Sequence, residues 1–385
     1  MTLRLMPFAA VAVLAACGAA PSESAAQEPA QESASSRPFA VSEVTTFDRP
    51  WAMAFLPGSG VPMTGMALVT EKGGALWLLD TATGRKRAVS GVPAVQDAGQ
   101  GGLGDVVVHP DFAGNQRVYL SFAEPGPDGT SGAALGYGRL VLGQGDPRIE
   151  GFKVIWRQTP KVTGNGHFGH RLVFARDGTM FLSSSDRQKM TPAQDLDSDL
   201  GKIVHLTDEG QAIPGPWASR GGRAASYYSM GHRNVLGLDI APDGRLWASE
   251  MGPQGGDEVN LILPGKNYGW PRASYGSHYG GEDIPDDHAG QRFEEPKVWW
   301  NPAISPAGLM IYTGDLFPKW KGDALIPALS GEALIRVDID GDKASKADQW
   351  GMDARIRAVD QGPRGEVYLL QDGDGAKLLR LESAR

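Results

Sequence analysis

The sequence predicts an all-β chain folded as a six-bladed β-propeller with four-stranded antiparallel blades. Three observations predict it. One phrase recurs six times, each copy alternates apolar and polar residues around a turn of the Pro-Asp-Gly kind, and amphipathic stretches of helical period are nearly absent.

The first copy is Trp51-Ala-Met-Ala-Phe-Leu-Pro57, answered by Ala67-Leu-Val-Thr-Glu-Lys72. The second is Val106-Val-Val-His-Pro-Asp111 with Val118-Tyr-Leu-Ser-Phe122, and the third Leu172-Val-Phe-Ala-Arg-Asp-Gly178 with Met180-Phe-Leu-Ser-Ser184. Leu238-Asp-Ile-Ala-Pro-Asp-Gly244 with Leu246-Trp-Ala-Ser-Glu250 forms the fourth. A looser fifth joins Leu309-Met-Ile-Tyr312 to Ala324-Leu-Ile-Pro-Ala328, and the sixth joins Ile356-Arg-Ala-Val359 to Val367-Tyr-Leu-Leu370 through Pro363-Arg-Gly365. The copies lie roughly 50 to 70 residues apart, which suits four short strands per blade plus loops. A pair of β-sandwiches would not explain one repeated phrase. Insertions between copies look modest, so the site is expected to be open and shallow and to discriminate weakly among substrates.

Residues 39–385 are assigned to the propeller. Ahead of them, Arg4 precedes an apolar run from Leu5 to Ala16, too short to span a bilayer but suited to a signal-peptide core. The run ends Leu14-Ala-Ala-Cys17-Gly18, the pattern of a lipoprotein cleavage box. Cys17 is the sole cysteine, so no disulfide accounts for it. Residues 1–17 are therefore expected to be a lipoprotein signal segment and residues 18–38, rich in Ala, Ser, Glu, Gln and Pro, a disordered tether. Acylation of Cys17 would place the protein in the periplasm, on the outer membrane because Gly18 is not an acidic retention signal. A net charge of −8 without any basic run argues against nucleic acid as a partner.

Polar residues gather where a packed core does not require them. One group is Ser229-Met-Gly-His-Arg-Asn234, followed by Glu250-Met-Gly-Pro-Gln-Gly-Gly-Asp-Glu-Val-Asn260 and Lys266-Asn-Tyr-Gly-Trp-Pro271. Arg233 could lie flat on a planar ligand and stabilise developing negative charge. The Gly252-Pro253 turn could aim carbonyls at a hard cation such as Ca²⁺, whereas Asp257, Glu258 and Asn260 read better as braces of a long loop. The other group is Gly164-Asn-Gly-His-Phe-Gly-His-Arg171. Its two histidines could bind a metal, but no third ligand accompanies them, and a general base is the better reading because imidazole titrates near neutrality. A satisfied structural histidine is the alternative for His167.

Taken in order, Gly99-Gln-Gly-Gly-Leu103, His109-Pro-Asp-Phe112, His167-Phe-Gly-His-Arg-Leu172, Gly231-His-Arg-Asn234, Glu250-Met-Gly-Pro253, Asn267-Tyr-Gly-Trp-Pro271 and Arg355-Ile-Arg357 resemble the glucose/sorbosone dehydrogenase family over residues 40 to 383. Members oxidise aldose sugars with pyrroloquinoline quinone (PQQ) and Ca²⁺. The resemblance implies a general base at His167, which takes the proton of the anomeric hydroxyl while hydride from the same carbon passes to the quinone. It implies that Arg233 stacks on the quinone and stabilises its reduced oxyanion, with Asn234 beside it, and that the carbonyls of Gly252 and Pro253 bind Ca²⁺. Gln100 matches a polar group near base and substrate, and Arg355 and Arg357 match the pair that holds the quinone's carboxylates, of which it has three. An aldose is the implied substrate, and electrons pass on to an acceptor that the sequence does not name.

Three positions depart from the family pattern. Gly166 stands where the glucose dehydrogenase branch has an acid, so the partner that orients His167 must come from elsewhere. Ser330 stands where a cofactor-contacting lysine is expected, and Arg187 where a glutamine is frequent. A Ca²⁺-dependent sugar lactonase and a non-catalytic binding propeller are the competing readings. The first would need acidic side chains converging on a central metal, and the second is kept open by Ser330.

Overall fold

The computed structural model describes residues 37–58, 65–143, 145–286, 288 and 292–383. The expected leader, Cys17 and all of the tether before Arg37 lie outside the described residues. No helix among those residues is long and apolar enough to cross a membrane.

Alternating segments joined by tight turns pair with their chain neighbours, and the result is six four-stranded antiparallel sheets. The innermost strands are Pro50–Phe55, Leu103–Val108, Gly169–Phe174, Val235–Ile240, Met310–Ile311 and Ile356–Gln361. The second strands are Met66–Glu71, Arg117–Pro125, Met180–Ser184, Leu246–Glu250, Ala324–Ala328 and Val367–Gln371. These are the two halves of the repeated phrase. The ring closes on itself: Phe39–Phe47, from the chain's beginning, supplies the outer strand of blade six by pairing with Ala376–Ser383. That union leaves no unpaired blade at the seam.

The core is six apolar seams, one between each pair of neighbouring blades. Leu68 and Leu120 meet between blades one and two, Leu135 and Leu182 between two and three, Ile203 and Ala248 between three and four. Trp247 and Ile326 join blades four and five, Leu334 and Leu369 five and six, and Val69 and Leu370 close six onto one. Each such side chain contributes about 1.5–3 kcal/mol by leaving water, so the ring is held all the way round.

A repeated irregularity positions the site. In five blades the innermost strand slips register against its neighbour near its start: between Pro50 and Ala52, Leu103 and Val106, Gly169 and Leu172, Val235 and Gly237, and Ile356 and Ala358. A bulge leaves one residue unpaired and re-aims it. Trp51, His170, Leu236 and Arg357 are turned this way, and all four line the central cavity.

The connection in blade four is longer than the sequence reading allowed. Between Asp257–Ile262 and Val298–Trp300 the chain leaves the sheet, and Gly276–Ser277 returns to pair with Gln254–Gly255. Tyr279 follows that pairing and stands three-quarters exposed at the cavity mouth. Asp257 and Glu258 also differ from expectation, for they open a buried strand rather than lie in a loop. Asp257 does act as a brace, accepting from the backbone N–H groups of Gly252, Ile304 and Ser305.

Candidate active site

Two positions in each blade build one face of the ring: the segment entering the innermost strand and the turn leaving the second strand. They surround a cavity of about 490 Å³, whose wall includes Trp51, Lys72, Gln100, His170, Arg355 and Arg357. A smaller recess adjoins it across Met251 and is lined by Arg233, Glu250, Gly252, Pro253 and Glu258. His167 and Asn234 are set deeper, 6% and 0% exposed.

His167 enters blade three with φ of 47°, a left-handed conformation that costs an imidazole-bearing residue about 1–3 kcal/mol and persists only where its surroundings hold it. They do. The Gln100 side-chain oxygen accepts from the His167 N–H at 2.7 Å, and Nδ1 lies 2.7 Å from Asp186 Oδ1. Asp186 sits just past the second strand of the same blade, and its carboxylate also accepts from Gln188 N–H at 2.8 Å, Met190 N–H at 3.2 Å and Trp270 Nε1 at 2.7 Å. A carboxylate so placed can only accept, so Nδ1 must carry the ring proton and Nε2 the lone pair. No protein group among the described residues bonds Nε2. Burial lowers the imidazole pKa from its ordinary value, and the bond to Asp186 opposes that shift.

His170 is different. Its ring stacks on Trp51 at 5.0 Å, and Nδ1 meets the hydroxyl of Ser121 at 2.8 Å. Burial drives its pKa down to about 3, so it stays neutral. Among the described residues it has no carboxylate partner to fix a basic lone pair toward substrate.

The Trp270 ring that bonds Asp186 also carries Arg233, whose guanidinium lies 5.2 Å from the ring centre. Arg233 donates to the Met251 carbonyl at 3.0 Å and to the Tyr279 hydroxyl at 3.1 Å, while its Nε and the side-chain oxygen of Asn234 are buried without a hydrogen-bond partner among the described residues. Buried polar atoms left open in this way are free to meet a ligand or ordered water. Below them, Glu250 accepts from the Arg233 backbone N–H and from His232 Nδ1. Glu258, buried and close to Glu250, is pushed up to about 8. The carbonyls of Gly252 and Pro253 accept no hydrogen bond from the described residues, and no cluster of three or more ligating side chains occurs among those residues. A hard cation here would depend on carbonyl oxygens, as Ca²⁺ can.

On the opposite wall, Arg355 and Arg357 share Asp372, with nitrogen–oxygen distances of 3.0 and 2.8 Å. Ser330 is exposed beside the lining residues Ser305 and Leu329, its hydroxyl 2.8 Å from that of Ser305 and bonded to the Ala303 carbonyl at 3.1 Å. Arg187 does not face the cavity. It is 1% exposed, packs over Phe168 at 3.7 Å, and donates to the carbonyls of Gly166, Ser131 and Gly164. It braces the loop that carries His167.

Residues 47–380 match the family described as glucose / sorbosone dehydrogenase. The chain belongs to the glucose/sorbosone dehydrogenase family. An aldose sugar dehydrogenase of Escherichia coli (strain K12) is 40% identical over 343 residues, covering 87% of this chain and 90% of that protein. The crystal structure of a soluble aldose sugar dehydrogenase from Escherichia coli in the apo-form superposes with a TM-score of 0.84 at 37% identity, covering 90% of this chain and all of that one. A PQQ-bound aldose sugar dehydrogenase from Streptomyces coelicolor superposes at 0.72 with 28% identity, covering 89% and 98%. This glucose/sorbosone dehydrogenase is thus a sugar oxidoreductase of the quinone-dependent class.

In this glucose/sorbosone dehydrogenase the sequence-predicted residues converge on one face but in three groups. Gln100 and His167 meet directly, Arg233, Gly252 and Pro253 line the recess with Asn234 buried next to Arg233 in the chain, and Arg355 and Arg357 stand on the far wall. Sequence reasoning missed Asp186, Lys72 and Asp372. All three occupy the turn after a second strand, where a lone charged residue looks like an ordinary solvated turn. The signal was positional: the same turn that carries Gly252 and Pro253 in blade four.

Proposed function

We propose that the enzyme oxidises aldose sugars at the anomeric carbon to lactones, with PQQ and Ca²⁺. The observation that carries this reading is the His167–Asp186–Trp270–Arg233 chain, which joins a base whose Nε2 is free, among the described residues, to a guanidinium whose Nε is unpartnered among them.

Asp186 holds the imidazole in the tautomer whose Nε2 takes the proton of the anomeric hydroxyl, and Gln100 fixes the backbone that carries it. Arg233 and Asn234 would meet the ring system of the cofactor, and Arg355 and Arg357 its carboxylates, for which a guanidinium fork is the natural partner. The carbonyls of Gly252 and Pro253 would ligate Ca²⁺. When bound, the quinone supplies the hydride acceptor, and the ion adds electrophilic polarisation. Trp51, Phe168 and Leu236 make part of the cavity wall apolar, which limits water beside the base.

The deciding experiment adds PQQ and Ca²⁺ to the purified chain and follows reduction of an artificial dye by several aldoses. Aldose-dependent reduction that needs both additions supports the reading. Lactone hydrolysis without dye reduction, or sugar binding without turnover, replaces it. The physiological acceptor stands where the dye does.

For the leader, the proposal is a lipid anchor on Cys17 with residues 18–38 as tether, holding the enzyme on the periplasmic side of the outer membrane. Cys17→Ser should move the protein from the membrane to the soluble fraction or block its processing. An unlipidated, freely soluble wild type would overturn it.

A further inference from the structure

We infer that Lys72 is a cofactor-binding residue: from blade one, its ammonium gives a carboxylate of the quinone the positive charge that Ser330 in blade five does not supply. The inference rests on the quinone site proposed above.

Four cations line the cavity, namely Arg49, Lys72, Arg355 and Arg357. Three are already paired. Arg49 meets Asp97 at 2.7 Å, and Arg355 and Arg357 share Asp372. Lys72 has no ion pair among the described residues, and its Nζ donates to the Gly99 carbonyl at 2.6 Å. An ammonium has three N–H groups, so two remain for a ligand. The side chain is half-buried, and the charged groups around it are Arg357, Arg49, Asp372 and Asp97. Burial, then the guanidiniums of Arg357 and Arg49, hold its pKa below the ordinary 10.5 despite the two carboxylates. Both carboxylates are already paired with arginines, so an arriving carboxylate would supply the direct counter-charge that the ammonium does not have among the described residues.

Position supports the same assignment. Lys72 is the first residue past the second strand of blade one and Ser330 the second past that of blade five, so the two stand one step apart in corresponding turns on one face of the ring. Arg187 does not compensate, since it is committed to three carbonyls away from the cavity.

The test is calorimetric titration of PQQ, at saturating Ca²⁺, into wild type, Lys72→Gln and Lys72→Arg. Each runs at neutral pH and near about pH 9, in two buffers of different ionisation heat. Lys72→Gln keeps a donor for Gly99 but loses the charge, and should weaken binding roughly tenfold to a hundredfold. Lys72→Arg should bind within a few-fold of wild type. Wild type should take up protons on binding at the alkaline pH, because the new anion raises the ammonium's pKa; both variants should lose that uptake. Unchanged affinity in Lys72→Gln, with melting temperatures showing the variants folded, would overturn the inference, as would weaker binding with proton uptake intact. No binding by wild type would overturn the quinone site itself, a different result.

Discussion

Blades three and five offer the same two positions to the cavity and fill them differently. In blade three they hold His167 and Asp186, interlocked, buried and tied to Gln100 and Trp270. In blade five they hold Ile304 and Ser330: the Gly331 N–H bonds the Ile304 carbonyl as the Arg187 N–H bonds that of His167, and the Ser330 hydroxyl turns to that of Ser305 at 2.8 Å near the surface. The backbone scaffold is equivalent, but the left-handed residue falls one position later in blade five, with φ of 47° at His167 and 54° at Ser305. Position is therefore the gift of the fold, whereas chemistry depends on what occupies it and on how completely its polar atoms are satisfied.

The comparison breaks most sharply at Asp186. Asp186→Asn keeps the shape but can present a donor to Nδ1, so the wrong tautomer becomes available. Turnover should fall on the order of 10²- to 10⁴-fold with quinone affinity little changed. Steady-state kinetics on the quinone-saturated variant checks this, and a loss below about tenfold would mean that the pair does not set the base.

Next is the brace beneath blade three. The Lys202 ammonium is fully buried and donates to the carbonyls of Pro192, Ala193 and Leu200, closing the loop that begins at Asp186. Lys202→Met should destabilise the protein by about 1–3 kcal/mol, because the buried Leu200 carbonyl loses its donor while those of Pro192 and Ala193 keep one backbone bond each. Chemical denaturation measures it, and a neutral effect would show that the loop is held elsewhere.

The two blades should also differ in charge supply. Ser330→Lys adds a cation where blade five has none, and should tighten quinone binding by roughly tenfold in a direct titration. Equal affinities would mean that other cations, Lys72 among them, already saturate the site.

The smallest effect concerns pH. Burial lowers the His167 pKa, so the neutral, accepting form persists further into acid than for a free imidazole. The acid limb of kcat/KM should therefore lie below the ordinary 6.5. In Asp186→Asn it should move lower still, since a group that raised the pKa is gone; movement to higher pH would contradict the assignment.

The sequence revealed the inner half of every blade because alternation and turn residues are local signals. Closure by Phe39–Phe47 was not legible, since its partner Ala376–Ser383 stands at the other end of the chain and neither strand's pattern names the other. The residues entering the inner strands, such as His167 and Arg233, could be read because they form compact motifs before an apolar run. Their partners could not. Asp186 acquires its meaning from Trp270, far along the chain, and Lys72 from Arg357 across the cavity. Such pairings exist only once the ring has closed.

The central claim is that proton removal and cofactor holding are carried by separate groups on one face. The most direct measurement takes His167→Ala and determines, on one preparation, the PQQ dissociation constant and the turnover with quinone, Ca²⁺ and aldose all saturating. The account predicts a turnover lower by on the order of 10²- to 10⁴-fold with the dissociation constant within a few-fold of wild type. Turnover retained while quinone binding collapses would contradict it, and would assign His167 to the cofactor instead of the sugar.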